Sequence, residues 1–140
     1  MVATVTRVPK ARILVVDDEA LVRSMILDVL AALGYETDGA VSAPEALALF
    51  ADNDYDLAMI DFLMPEMNGA ELADRLRLQA PGVKILITTG LDDDPALARA
   101  QARGAMVLRK PMSIDRLHAA IDHLLSGEMS THTFPDSVHA

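Results

Sequence analysis

The sequence predicts an α/β domain: a doubly wound, five-stranded parallel sheet carrying five helices. Three observations lead there. Short apolar runs rich in β-branched residues alternate with amphipathic segments at helical spacing. The runs are continuous rather than alternating, as in strands covered on both faces. The amphipathic segments open on recognisable capping residues.

Ile13 to Val16 is the first strand. Val22, Met25, Ile26, Val29, Leu30 and Leu33 fall on one helical face, and Gly34 ends that helix. Tyr35 to Val41 supplies a second strand, although Asp38 and Gly39 interrupt its apolar character. Ser42 followed by Glu45 reads as a capping box before Ala46 to Phe50. Leu57 to Ile60 is the third strand, and Asn68 with Glu71 repeats the box before Leu72 to Leu78. Ile85 to Ile87 is the fourth. Asp94 then caps a helix with Pro95 at its first position, ending near Gly104. Met106 to Leu108 is the fifth strand. Ser113 caps a last helix with Ile114, Leu117, Ile121, Leu124 and Leu125 on one face. Crossovers in such a sheet are right-handed, and ligands bind at the carboxyl ends of the strands.

Composition narrows the function classes. The chain has 140 residues, enough for one domain. Apolar residues make up 51% and aromatics only 4%, so the core is aliphatic. The formal charge of −9 repels nucleic acid phosphate and argues against DNA or RNA partners. With no cysteine, there is no disulfide framework, thiolate metal site or thiol nucleophile. The opening MVATVTRVPKAR lacks the apolar stretch of a secretory signal, and no run approaches the roughly 20 apolar residues that span a bilayer. A cytoplasmic protein without a membrane partner is the expectation.

The strand ends carry the chemistry. Asp17, Asp18 and Glu19 follow the first apolar run, Asp61 the third, Thr88, Thr89 and Gly90 the fourth, and Lys110 and Pro111 the fifth. Three carboxylates at close range need a counter-charge. Oxygen ligands without histidine or cysteine favour Mg²⁺. A carboxylate can also act as a nucleophile and form an aspartyl-phosphate, whose oxygens Lys110 and a threonine hydroxyl would hold. Singly, each element has an ordinary reading. Asp17-Asp18 serves equally well as a helix cap, and a carboxylate before a turn is common. Their joint placement at predicted strand ends favours the functional reading.

The segments VVDDE, DFLMPEMNG, ITTG and RKP resemble, in order and separation, the signature segments of response-regulator receiver domains. The resemblance covers residues 11 to 125, leaving an N-terminal tail, 1 to 10, and a polar C-terminal tail, 126 to 140. It implies a flavodoxin-like (βα)5 fold and a Mg²⁺ site formed by Asp17, Asp18, Asp61 and the backbone carbonyl of Leu63. Asp18 would be a direct ligand, with Asp17 acting through water. It further implies Asp61 as phosphoacceptor, Thr89 as switch hydroxyl, Lys110 as the phosphoryl-binding lysine, and a cis Lys110–Pro111 bond. The family often has an aromatic residue three positions before the lysine; here that residue is Val107. Leu63 and Leu91 stand where side chains influence phosphoryl lifetime, and neither can orient a water. Gly104 to Lys110 is one residue shorter than the usual pattern.

The resemblance implies a signalling phosphoacceptor rather than an enzyme, with at most self-phosphorylation from small donors and autodephosphorylation. Its donor would be a histidine kinase or histidine phosphotransfer protein, and its downstream protein target would bind around residues 95 to 125. The C-terminal tail is too short for an output domain, so a stand-alone monomer or weak dimer is expected. The runner-up is a receiver fragment of a hybrid histidine kinase. An aspartyl-phosphate hydrolase would want a second Asp at position 63, where Leu63 stands. A nucleotide- or flavin-binding domain would want glycines where DDEALVR lies. Bland readings cover the remaining motifs. Asp92, Asp93 and Asp94 form a solvated loop with Asp94 as cap. His118, His123, His132 and His139 lack a ligand spacing. Met64 and Met67 pack under their loop. Gly69 and Gly104 serve a turn and a helix end.

Overall fold

The computed structural model describes residues 11–91 and 94–126. Strands β1 (Arg12–Val16), β2 (Glu36–Ala40), β3 (Leu57–Asp61), β4 (Lys84–Thr89) and β5 (Met106–Arg109) alternate with five helices. These are α1 (Ala20–Ala32), α2 (Ala43–Asp52), α3 (Gly69–Gln79), α4 (Pro95–Ala102) and α5 (Ile114–Ser126). All pairings are parallel, in the order β2-β1-β3-β4-β5. The expected fold class and all ten elements are present. The order reverses direction between β1 and β3, and their carboxyl ends border the crevice where such sheets take ligands.

Each face of the sheet has its own apolar layer. Leu14, Val16, Ala58, Ile60, Ile85, Ile87 and Val107 pack against Phe50 of α2, Leu72 and Leu76 of α3, and Leu97 of α4. The alternate residues Ile13, Val15, Leu57, Met59, Leu86 and Leu108 pack against Ile26 and Leu30 of α1 and Leu117 and Ile121 of α5. Burial on both faces explains why the strand sequences run continuously apolar. β3 is buried along its whole length, Asp61 included.

Local chemistry sets the helix boundaries. Asn68 and Glu71 form a full capping box, and a cap of this kind contributes about 1 kcal/mol. Ser42 accepts the Glu45 N–H, but the Glu45 carboxylate takes the Val41 N–H rather than that of Ser42, so the box there is a variant. Asp94 caps α4 through the Ala96 N–H, and Ser113 accepts the Arg116 N–H at the start of α5. Gly34 and Gly104 take positive φ angles of 100° and 101°, which suits glycine at a helix end. The Lys110–Pro111 bond is cis. Two helical expectations need correction: Met25 of α1 and Ile114 of α5 are 65% and 56% exposed, and both line an apolar groove between these helices rather than the core.

Opposite the site, the amino ends of the strands are tied by a polar network. The Tyr55 hydroxyl donates to Asp38 Oδ2 at 2.6 Å, and Arg12 Nη2 donates to the same oxygen at 2.9 Å. The guanidinium lies over the Tyr55 ring, 5.1 Å from its centre, a cation–π arrangement. Burial, together with the bond to Asp38, pushes the Tyr55 phenol well above its ordinary value. Asp38, which weakens the apolar signal of β2 in the sequence, is therefore a partner shared with β1 and the turn before β3.

Gly69 does more than serve a turn. It opens α3, and its N–H donates to the Phe62 carbonyl at 2.8 Å. A Cβ there would lie 2.9 Å from the Asp61 carbonyl oxygen and 3.0 Å from Phe62 Cα. Both obstacles are backbone and cannot swing aside. Gly69→Ala is expected to destabilise the domain by about 1 to 3 kcal/mol, the usual cost of overpacking. Denaturant unfolding with unchanged m-value measures it; stability equal to wild type would show that α3 can withdraw freely.

Candidate functional site

Asp17, Asp18, Asp61 and Lys110 meet at the carboxyl ends of β1, β3 and β5. One ligand atom from each carboxylate lies within 4.8 Å of the others, and this is the one such acidic cluster among the described residues. Lys110 Nζ donates to Asp61 Oδ1 at 3.3 Å. Thr89 follows Thr88, the register partner of Asp61 on β4, and its side chain is buried. Its Oγ1 accepts the Leu91 N–H at 2.9 Å. A hydroxyl that accepts one bond still has its proton to donate. Leu63 lies two residues past Asp61 with its side chain 56% exposed, so its only polar offering is backbone.

The backbone around Asp17 is fixed on both sides. Its N–H donates to the Ala40 carbonyl at 3.1 Å, and its own carbonyl accepts Arg23 Nη1 at 2.7 Å. Asp17 Oδ1 accepts the Glu19 N–H at 2.9 Å. Asp17 Oδ2 is buried with no hydrogen-bond partner. The helix-cap alternative for the acidic pair fails, because Glu19 occupies the N-cap of α1 and no side chain caps it. Arg23 drew no attention in the sequence, since nothing local indicates that a helical arginine will reach back to a strand-end carbonyl. The aliphatic stem of Arg23 lies over Gly39, whose absent Cβ leaves room for it.

Burial pushes the Asp61 carboxyl above its ordinary value. Lys110 pulls it back, while Asp17 and Asp18 push it further up. The net direction is upward, so ionisation costs the fold more than Lys110 returns.

Asp94 is a cap, as expected, whereas Asp92 and Asp93 lie outside the described residues. His118 sits edge-on to Tyr35 and pairs with Asp122 at 3.8 Å. His132 and His139 lie outside the described residues. Met64 and Met67 pack against the core beneath their loop. Among the described residues, no helix is long and apolar enough to cross a membrane.

The response regulator receiver domain model matches residues 13–122. The chain belongs to that family, whose members are signalling domains of two-component response regulators. It is 36% identical over 112 residues to the alginate biosynthesis transcriptional regulatory protein AlgB of Pseudomonas aeruginosa, covering 79% of this chain and 25% of AlgB. It is 30% identical over 113 residues to the chemotaxis protein CheY of Thermotoga maritima, covering 79% of this chain and 94% of CheY. The structure of the response regulator TrrA of Thermotoga maritima in complex with Mg²⁺ and BeF superposes with a TM-score of 0.75. The two are 32% identical, and the match covers 83% of this chain and all of that one. Against several larger relatives, the chain spans only 25% to 50% of their length.

The raised Asp61 value has a testable sign. An acid whose folded-state pKa is raised costs stability when ionised, and that cost disappears below the unfolded carboxylate range. Without metal, Asp61→Asn is therefore expected to raise Tm at neutral pH. The gap should close as the pH falls through the carboxylate range. Thermal melts of both proteins in chelator check this; a lower Tm for the variant at neutral pH would mean that the Lys110 pair outweighs burial and repulsion.

Proposed function

We propose that the domain accepts a phosphoryl group on Asp61 from a phosphohistidine, in a Mg²⁺-dependent step, and then switches partner binding or relays the group. The donor would be a histidine kinase or a histidine phosphotransfer protein. One observation carries this reading: a buried Asp17 oxygen without a donor, inside a cluster of three carboxylates. An unpaired buried anionic oxygen is costly, and a hard cation removes the cost. Asp17, Asp18, Asp61 and the Leu63 carbonyl would hold Mg²⁺, an all-oxygen set suited to it. Bound there, Mg²⁺ would neutralise the crowded carboxylates and the incoming phosphoryl oxygens.

The chain's own residues supply the rest. An Asp61 carboxylate oxygen attacks phosphorus as the phosphorus–nitrogen bond of the donor imidazole breaks. Lys110, already beside Asp61, holds a phosphoryl oxygen, and Thr89 donates its hydroxyl proton to another. An apolar groove of about 430 Å³ adjoins the site and is lined by Val22, Met25, Ile26, Lys110, Pro111 and Ile114. Lys110 belongs to both groove and site, so a donor helix seated there arrives next to Asp61. The exposed Met25 and Ile114 supply apolar contact for it.

In this reading the receiver comprises residues 11 to 125, between tails 1 to 10 and 126 to 140, and works in the cytoplasm as a monomer or weak dimer. Its target is a protein that binds the face around residues 95 to 125; the acidic charge disfavours nucleic acid. A second reading is a receiver fragment of a hybrid histidine kinase. The mass of the native protein in cell extract separates the two.

Acetyl phosphate with Mg²⁺ is expected to add one phosphoryl group to the wild type and none to Asp61→Asn. Intact-protein mass spectrometry reads the result, and an equal adduct on the variant would displace the acceptor from Asp61. Asp18→Ala is expected to weaken Mg²⁺ binding by about tenfold or more while the fold persists. Unchanged Mg²⁺ titration of that variant, followed by NMR, would remove Asp18 from the metal site.

A further inference from the structure

We infer that Arg109 is a positioning residue that links the Thr89 hydroxyl to the α4–β5 surface through the backbone of Leu91. The inference rests on the reading of Asp61 as phosphoacceptor and Thr89 as the hydroxyl that meets the phosphoryl group. Leu91 is held from two sides. Its N–H donates to Thr89 Oγ1 at 2.9 Å, and its carbonyl accepts Arg109 Nη1 at 2.9 Å. Arg109 is also the register partner of Thr89, and the next N–H, that of Lys110, donates to the Thr89 carbonyl at 2.8 Å. The two consecutive cations of β5 thus divide the site. Lys110 reaches the Asp61 carboxylate, and Arg109 reaches the loop that carries the Thr89 hydroxyl's partner.

Strand alternation decides where a displacement of Arg109 is felt. Val107 and Arg109 lie on one face of β5 and Leu108 on the other. Val107 packs in the layer that includes Leu97 and Ala100 of α4, whereas Leu108 packs in the α1 and α5 layer. The half-buried Arg109 therefore sits on the α4 side. Leu97 and Ala100 are the buried residues of α4, a light anchorage for a helix of eight residues. The Val107 side chain has no polar atom with which to register a change at Thr89, so the side-chain polar link from this strand to the loop is made by Arg109.

A phosphoryl group on Asp61 offers strong acceptor oxygens. As Thr89 turns to donate to it, Oγ1 changes its position relative to the Leu91 N–H. Leu91 shifts, and its carbonyl moves the Arg109 guanidinium or releases it. Either event alters the surface between α4 and β5. The state of the site is thereby transmitted through two hydrogen bonds that share one residue.

The test uses the full chain, labelled with ¹⁵N, with and without Mg²⁺ and beryllofluoride as the phosphoryl mimic. Arg109→Met keeps the stem and removes the donors; Arg109→Lys keeps a charge and a donor. In the wild type, beryllofluoride is expected to shift amides at Asp61, Thr89 and Leu91 and across residues 95 to 109. In Arg109→Met the shifts at Asp61 and Thr89 should remain, while those across 95 to 109 fall by about twofold or more. Arg109→Lys should lie between the two, and decides the matter if the Met variant gives no folded spectrum. Equal shifts across 95 to 109 in wild type and either variant would overturn the link. So would loss of the shifts at Asp61 and Thr89 in Arg109→Met, which would place Arg109 in the binding of the mimic. Absence of any response in the wild type would overturn the reading of the site and the link with it.

Discussion

Three carboxylates and one ammonium are brought together where the sheet changes direction, and much of the surrounding structure withstands the resulting repulsion. Left to themselves, the carboxylates of Asp17, Asp18 and Asp61 would push apart. They are kept in place by backbone. Asp17 is fixed through its N–H, its carbonyl and one carboxylate oxygen, by Ala40, Arg23 and Glu19. Asp61 terminates a strand buried along its length, and α3 abuts its carbonyl through a residue without a side chain. Burial is the main reason the Asp61 pKa is raised, with Lys110 opposing the rise and Asp17 and Asp18 adding to it.

This arrangement explains the distribution of rigid and loose parts. β1, β3 and β4 form the centre of the sheet, with apolar layers on both faces. Asp17 and Asp18 follow the first of these strands and Asp61 ends the second, where displacement would disturb both layers. Thr89 and Lys110 approach from β4 and β5, nearer the edge, and there the packing lightens toward α4. In the proposed reading, the groups that hold still stand on the deepest strands, and the hydroxyl that turns stands on the strand leading into α4, whose buried anchors are Leu97 and Ala100.

Much of this was legible in the sequence because it follows from local chemistry. Strands buried on both faces declare themselves as apolar runs, and Asn68, Ser42, Asp94 and Ser113 each mark a helix start. Once strands are placed, the strand-end rule gathers Asp17, Asp18, Asp61, Thr89 and Lys110 without coordinates. What escaped was long-range. Gly69 reads as a turn glycine until the backbone of Asp61 is seen against it. Arg109 finds its acceptor 18 residues earlier, and Arg23 finds the carbonyl of Asp17 just past β1; a backbone acceptor leaves no mark on a sequence. Ile114 fits the helical stripe of α5 but is exposed at a groove, which periodicity cannot show.

The network of Arg12, Asp38 and Tyr55 has a mechanical meaning. It fastens the middle of β2 to the amino end of β1 and the turn into β3, with two donors on a single carboxylate oxygen. The ties between β4 and β5 through Thr89, Leu91, Arg109 and Lys110 lie at the opposite ends of the strands. The sheet is thus clamped along a diagonal, like a door with its hinge on one jamb and its latch on the other. A push delivered at Asp61 meets a braced frame toward β2 and a lighter leaf toward β5. In the proposed reading, that asymmetry gives the domain a direction: a change at Asp61 is felt toward α4 and β5 while the β2 side holds still.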